Sequence, residues 1–295
     1  MKKSFPLLLL SAIVISVASC KKASHPSNNS GSGTMLSEFV ALDTTQAIGS
    51  DTLSITYLTY DNLKRLNTVS YIFFTNYVRE TASYNTKALF YSTTDTLPNK
   101  IISASLEAGP SPEASNDTDY ISYDSQGRVV KDIDNGSFPI NFSSYTKEED
   151  YSYNGSIVIN NQIDSIDGNG RDTVTQTISN GNIISQVDNN TTTCTISLDT
   201  HPNPFYKNGY SVTPIFAMYG MDADGLQDGV QKNNCTRLIV NDPSNSNAPN
   251  VIHQFTYNAN GYPVSVIEYN NVRGYILAQP TSTPLFNFKG IYIYQ

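Results

Sequence analysis

From about residue 37 onward, aromatic or aliphatic side chains recur at every second position over short runs, and most runs end at a Gly, Asn or Asp cluster. Two segments show this most plainly. One is Asp119-Tyr-Ile-Ser-Tyr-Asp-Ser-Gln-Gly-Arg-Val-Val-Lys131 and the other is Gln254-Phe-Thr-Tyr-Asn-Ala-Asn-Gly-Tyr-Pro-Val-Ser-Val266. In each, a tyrosine precedes a glycine by four positions: Tyr123 before Gly127, and Tyr257 before Gly261. Looser copies are Asp150–Ile159 around Asn154-Gly155 and Val174–Val187 around Asn180-Gly181, while Ile55–Leu66 is a degenerate copy with no glycine at its turn. Alternation of period two sends one set of side chains to each face of a sheet. Asn-Gly supplies the positive φ that tight hairpins require. Successive hairpins make an antiparallel meander. Because sheets twist, a long meander must curl, pair with another sheet or close on itself, and closure also removes exposed edges. The pattern predicts an all-β chain, an antiparallel meander forming a strongly curved or barrel-like sheet.

Interruptions refine this plan. Asp199–Asn234 breaks the alternation with His201-Pro-Asn-Pro-Phe205 and Asp222-Ala-Asp-Gly-Leu-Gln-Asp228, and reads as a long connection with a short helix near Pro214–Tyr219. Pro110, Pro112 and Pro139 mark loops. Phe286–Tyr294 reads as a closing strand.

The N-terminus has a different texture. Lys2 and Lys3 precede an apolar run from Phe5 to Val17, followed by Val17-Ala18-Ser19-Cys20. A basic start, a short apolar stretch and small residues before a cut form a secretory signal, and the run is too short for a good transmembrane helix. Its ending resembles the lipobox of bacterial lipoproteins. That resemblance implies cleavage before Cys20, lipidation of Cys20, and anchoring by acyl chains, each buried methylene contributing about 0.8 kcal/mol. The expected organisation is a signal peptide over 1–19, a flexible tether over 20–36 rich in Ser, Asn and Gly, and a single antiparallel β domain over 37–295. Lys21 and Lys22 stand where surface-exported Bacteroidetes lipoproteins often carry acids, so the anchored protein is expected at the outer membrane on a face left open.

Composition narrows the function classes. The net charge of −8 becomes −10 once Lys2 and Lys3 are removed, which argues against nucleic acid as a partner. Charged residues make up only 15% of the chain, below the roughly 25% of typical soluble domains, while tyrosine reaches 20 residues and tryptophan is absent. With Cys20 lipidated, Cys194 and Cys235 remain. A compartment outside the cytoplasm permits a disulfide between them, and two buried thiols are the alternative.

The Tyr-x-x-x-Gly hairpins look like the YD-type repeats of bacterial surface proteins. More closely, the sequence resembles an uncharacterised family of Bacteroidetes lipoproteins with a porin-like fold. The residues that carry this resemblance are the lipobox, Tyr120–Val129, Asp199–Phe205, Lys232–Arg237 and Phe255–Val266. It implies a curved or barrel-like antiparallel sheet and no particular activity. The Ser, Thr and Asn faces of the strands argue against a lipid-facing outer wall.

The search for catalytic chemistry returns no candidate catalytic residue. His25, His201 and His253 lack zinc-ligand spacing. No Gly-x-Ser-x-Gly elbow, P-loop or Gly-x-Gly-x-x-Gly occurs, and no cofactor is expected. Two acidic loops are weak calcium candidates: Asp222, Asp224 and Asp228 beside Gly225, and Asp167, Asn169 and Asp172 around Gly170. Both depart from the EF-hand pattern and read better as solvated turns. Glu148, Glu149 and Asp150 read as a charged turn. Asp-Ser/Thr followed by an aliphatic residue or Thr is similar to the O-glycosylation site of Bacteroidetes secreted proteins. On that resemblance, Thr44, Thr52, Thr96, Ser165 and Thr173 are candidate acceptors. The leading expectation is a lipid-anchored envelope β-protein, non-enzymatic, binding a partner such as a glycan or an envelope protein or serving a structural role. The alternatives are a carbohydrate-binding module, suggested by the tyrosines, and a glycoside hydrolase with dispersed carboxylates.

Overall fold

A computed structural model describes residues 35–43, 52–75, 78–92, 97–107, 113–137, 144–164, 171–188, 192–204, 232–241, 250–270 and 285–295. These residues form sixteen strands: β1 (Leu36–Leu42), β2 (Thr52–Tyr60), β3 (Leu66–Thr75), β4 (Val78–Phe90), β5 (Lys100–Glu107), β6 (Glu113–Tyr123), β7 (Val129–Ser137), β8 (Ser144–Asn154), β9 (Ile157–Asp164), β10 (Arg171–Ser179), β11 (Asn182–Asp188), β12 (Thr192–Pro202), β13 (Asn233–Asn241), β14 (Asn250–Tyr257), β15 (Pro263–Asn270) and β16 (Leu285–Tyr294). Each pairs antiparallel with its sequence neighbours, and β1 pairs with β16 to close a barrel. The meander predicted from the alternation is thus a closed one, and no helix occurs among the described residues.

Three corrections to the sequence reading concern boundaries and context. The barrel starts at Leu36, one residue ahead of the expected domain. Asp199–Pro202 continues β12 instead of opening the long connection, and Pro202 still pairs with Asn233. Glu148, Glu149 and Asp150 lie inside β8, not in a turn. The short helix expected near 214–219 and the proline loops at 110, 112 and 139 lie outside the described residues.

At one end of the barrel three of the hairpin turns are built alike. Asp61, Asp124 and Asn258 each use one side-chain oxygen to accept two backbone N–H groups, those of Leu63 and Arg65, Gln126 and Arg128, and Asn260 and Tyr262. The fourth residue of each turn has positive φ: Lys64 at 62°, Gly127 at 74° and Gly261 at 79°. The degenerate hairpin therefore makes the same turn as the others, with lysine strained into the glycine position. Asp61 and Asp124 also bind the Nε of Arg65 and Arg128 with their second oxygen, each at 2.7 Å.

A second clasp follows each turn. The Arg65 guanidinium lies 4.3 Å from the Tyr91 ring centroid, and Arg128 lies 4.2 Å from that of Tyr153. The Tyr91 hydroxyl donates to the Leu66 carbonyl, and Tyr153 to that of Val129. At the third turn Tyr262 replaces arginine and packs against Tyr294, whose hydroxyl donates to the Pro263 carbonyl. Tyr60 and Tyr123 reach the carbonyls of Leu36 and Pro98 in the same way. These hydroxyls satisfy backbone acceptors at strand starts, where the ladder bonds run out. Burial raises the Tyr60 and Tyr153 hydroxyls to about 12, so they remain donors at ordinary pH.

The inner face near this end is apolar. Leu36, Phe39, Leu58, Leu66, Val69, Leu89, Ile101, Ile121, Val129, Val158 and Val266 form one buried cluster with Tyr151, Tyr292 and Tyr294. Gly290, on the closing strand, is covered by the Phe39 ring, which a Cβ there would overlap. The outer face of β1–β3 carries a separate buried group of Val40, Leu42, Ile55, Ile72 and Phe74.

Turn chemistry gives a paired prediction. Gly127→Ala should lower the stability of the barrel by about 1–2 kcal/mol, because an L side chain resists this φ. Lys64→Gly should raise it by up to about 1 kcal/mol. Urea unfolding followed by tyrosine fluorescence would show both, and an unaffected Gly127→Ala protein would refute the turn account.

Candidate functional site on the inner wall

Further from the tight turns, the inner face of β4–β9 changes from apolar to charged. The cross-strand register aligns Val69, Lys87, Ser103, Asp117, Gly136 and Tyr145 in one row. The next rows towards the apolar cluster place Asp119 opposite Asp134 and Asp132 opposite Glu149. Since alternate residues share a face, Asp117 and Asp119 lie on the same side as buried Ile121, and Glu149 on the same side as buried Tyr151. Asp119 and Asp132 are themselves buried, at 7% and 4% relative exposure.

Carboxylates directly opposite one another repel, and the wall contains devices that moderate this. The Tyr145 hydroxyl bridges two acids, lying 3.1 Å from Asp117 Oδ1 and 3.3 Å from Asp134 Oδ2. It gets there because Gly136 lies between, and a Cβ at Gly136 would overlap both the Asp117 carboxylate and the Tyr145 ring. Lys147 pairs with Glu149 Oε1 at 2.7 Å, while Glu149 Oε2 accepts from Tyr151 and Asn160.

Protons provide the rest. Burial, then the charges of Asp134, Asp117 and Glu149, push the Asp119 carboxyl up to about 7 against the pull of Lys87. Burial and its acidic neighbours push Asp132 up to about 8. Asp117 and Asp134 are raised as well, both chiefly by burial. Burial also works to raise Glu149, but Lys147, Tyr151 and Asn160 together outweigh it and hold that carboxyl below its usual range. Lys87 is lowered by burial despite the surrounding acids.

Asp132 and Glu149 thus have opposed shifts, the pattern of a general acid beside an ionised carboxylate. Both Glu149 oxygens, however, are engaged by Lys147, Tyr151 and Asn160. A base needs an acceptor facing its substrate, and Glu149 has committed its acceptors to the wall.

The outer face is different in kind. Hydroxyls pair across strands, as in Thr59 with Thr68 and Thr256 with Ser265, both at 2.6 Å. Lys131 bridges Glu148 and Asp150, all three at least one-third exposed. Lys100 lies 5.8 Å from the Phe90 ring centroid and 5.5 Å from that of Tyr120, two aromatic rings that are nearly half exposed.

Among the sequence candidates, Thr52 lies on β2, and Thr173 lies on β10 with its hydroxyl 3.3 Å from Asn161 Oδ1. Cys20, Thr44, Thr96, Ser165, Asp167, Asn169, Asp222, Asp224 and Asp228 lie outside the described residues. Cys194 and Cys235 stand on the adjacent strands β12 and β13 and are not joined by a disulfide. Their register separates them: Cys194 faces Val240 while Cys235 faces Leu198. Four strand residues span ~13 Å, beyond the ~7 Å Cα reach of a disulfide. His201 stacks on Tyr257 with ring centroids 3.8 Å apart, and His253 sits between the Cys235 carbonyl and Glu268. Both histidines are held by neighbours in the barrel.

The inner-wall acids were missed by motif searching, yet a signal for them exists. Asp117-x-Asp119 and Asp132-x-Asp134 place pairs of charges at period two, the first in phase with Ile121 and Tyr123. Acids in phase with the core set belong on the inner face.

No known protein family matches the sequence, and no curated protein matches it. Among solved structures, the chain is similar to a porin-like protein from Bacteroides uniformis, with 11% identity, a TM-score of 0.38, and coverage of 89% of this chain and 98% of that one. It is also similar to a porin-like protein from Bacteroides vulgatus, with 8% identity, a TM-score of 0.41, and coverage of 88% and 98%.

The raised acids predict a pH dependence. A carboxyl whose folded pKa lies above its unfolded value of 3.8 binds more protons when folded. Its contribution is fully present below that value and is lost as pH rises through about 7 for Asp119 and about 8 for Asp132. Asp132→Asn should therefore raise the melting temperature at pH 8 relative to the parent and narrow that advantage at pH 4. Equal melting shifts at both pH values would show that Asp132 is not held protonated.

Proposed function

We propose that this protein is a lipid-anchored β-barrel of the cell envelope that stands in water beside the outer membrane and has a non-enzymatic binding or structural role. The observation that carries this reading is the distribution of polarity across the wall. The largest apolar cluster lies on the inner face, while away from the apolar group of β1–β3 the outer face carries the Thr59–Thr68 pair and the Lys131–Glu148–Asp150 group. A membrane-spanning barrel needs the reverse. A lysine on its lipid face costs about 2–4 kcal/mol at the bilayer midplane.

Cys20 would supply the attachment. The residue before β1, Met35, accepts a hydrogen bond from the backbone N–H of Gln295, which follows β16, at the end of the barrel that carries the tight turns. A tether over 20–36 would then hold that end towards the membrane and direct the charged inner wall away from it. The lipoprotein address, the resemblance to YD-repeat lipoproteins and the candidate glycans on Thr52 and Thr173 belong to this reading.

A carbohydrate-binding module is the second reading, and Phe90 and Tyr120 favour it. Most clasp tyrosines are committed to backbone carbonyls, but these two outer rings are exposed on either side of Lys100. Such a platform stacks on sugar faces.

Fractionation tests the first reading. The parent should sediment with membranes, and Cys20→Ala should move to the soluble fraction, with no ion conductance from the purified protein in planar bilayers. A Cys20→Ala protein that stays membrane-bound, or a conducting parent, would overturn it. For the second reading, a glycan array should register binding that Tyr120→Ala and Phe90→Ala both remove. A blank array would exclude it.

A further inference from the structure

We propose that the inner wall of β6–β9 binds an organic cation, an ammonium or guanidinium group, through the carboxylates of Asp117, Asp119, Asp132 and Asp134 and the amide oxygen of Asn160. This rests on the reading of the barrel as a binding protein, and not on its lipid anchor.

The first ground is an imbalance of charge. Five carboxyls, those of Asp117, Asp119, Asp132, Asp134 and Glu149, share the wall with Lys87 and Lys147. Lys147 is engaged by Glu149. Lys147 also lies opposite Asp134, so five carboxyls face two lysines on this wall.

The second ground is independent of charge. Four buried side-chain atoms on β7, β9 and β10 have no hydrogen-bond partner: Asp132 Oδ1, Asp134 Oδ1, Asn160 Oδ1 and Gln176 Oε1. All four are acceptors when the two carboxyls are ionised. Asp132 and Asn160 are more than nine-tenths buried. The Asn160 amide cannot simply turn over, because its Nδ2 donates to Glu149 Oε2 at 3.0 Å and so fixes which atom is left as an acceptor. A buried acceptor without a donor costs ~1–3 kcal/mol. Once the aspartates ionise, a wall with several orphaned acceptors calls for a ligand that brings donors and positive charge.

The arrangement also distinguishes between cations. Among the described residues, no group of three or more His, Cys, Asp or Glu side chains converges closely enough to hold a metal ion. The acceptors are spread over neighbouring strands instead. A guanidinium, with five N–H donors in a planar fork, or an ammonium, with three, can reach several such acceptors at once. The acidic chain, at net charge −8, would attract such a ligand from solution.

Proton linkage gives the site a signature. The titratable groups facing it are Lys87 on β4, Asp117 and Asp119 on β6, Asp132 and Asp134 on β7, and Tyr145, Lys147, Glu149 and Tyr151 on β8; the inner-face β5 and β9 partners Ser103, Asn160 and Gln162 are neutral. Asp119 and Asp132 must ionise before they can pair with a cation, which they do through about 7 and about 8. Tyr145 and Tyr151 stay neutral, their hydroxyls being raised by burial.

Isothermal titration calorimetry on the full, detergent-solubilised protein tests this with agmatine, spermidine and an Arg-Gly-Arg peptide, using 1,4-butanediol and calcium chloride as controls. Saturable binding of at least one cationic probe is expected, tightening by about tenfold or more from pH 6 to pH 8.5. Agmatine or spermidine binding would indicate a free amine as the natural ligand, whereas binding of the peptide alone would indicate a protein side chain. The Asp132→Asn/Asp134→Asn double variant removes repulsion and so should fold. It should weaken binding by about tenfold or more with its melting temperature kept or raised. Three outcomes would overturn the proposal: no saturable heat from any cationic probe, a double variant that binds as the parent does, or preference for calcium. None of these would disturb the fractionation result, so the anchor and the ligand stand or fall separately.

Discussion

The whole barrel depends on the pairing of its first strand with its last. β1 takes backbone hydrogen bonds from β2 on one side and β16 on the other, so residues more than two hundred and fifty positions apart become neighbours, as Ser37 Oγ bonding to the Ile293 carbonyl illustrates. An open sheet of this length would leave two edges free to pair with other chains. Closure removes both. It also gives the sheet an inside and an outside, and every later property of this protein depends on which face a residue joins. Phe39 packs over Gly290 and against Tyr292 at the seam, so the closing contact is apolar as well as hydrogen-bonded.

The tyrosine clasps and the seam address the same physical problem at different places. Strand ends leave carbonyls without ladder partners, and those near an apolar inner face cannot rely on water. Placing a tyrosine at the end of one strand to cap the start of the preceding one meets the need locally. The recurrence of this unit at Tyr60, Tyr91, Tyr123, Tyr153 and Tyr294 gives five of the tyrosines a structural role at strand starts. Tyr257 departs from the rule. Its hydroxyl turns to Asp199, which also accepts from Asn234, and His201 stacks on its ring. The turn chemistry is kept there while the clasp is rebuilt around a carboxylate.

The inner wall sets a cost against a capability. Opposed aspartates destabilise the sheet that carries them, and raised pKa values are how the fold accommodates them at neutral pH. Residues that do not help folding in this way are the ones whose presence calls for another reason. Glu149 is integrated, with its oxygens satisfied, and serves the wall. Asp132 is buried and Asp134 half-buried, each with one oxygen unsatisfied, and that asymmetry separates a structural acid from one available to a ligand.

Much of this was legible before any coordinates. Alternation of period two is a local property, so strands, hairpins and most turn positions follow from the residues themselves: Tyr123 to Gly127 and Tyr257 to Gly261 make the turns their spacing implies. Even the degenerate turn at Asp61 is encoded, because an aspartate that accepts two backbone N–H groups can hold Lys64 at positive φ. Register and closure were not legible, because they are agreements between distant segments. Alternation places Cys194 and Cys235 on strands without saying which residues they face, and a shift of four residues keeps them too far apart for a disulfide. It likewise shows Asp117-x-Asp119 and Asp132-x-Asp134 as two separate pairs along the chain. Only the paired, closed sheet sets Asp119 against Asp134 and Asp132 against Glu149 on one inner face, because electrostatic coupling depends on distance through space and the sequence records distance only along the chain.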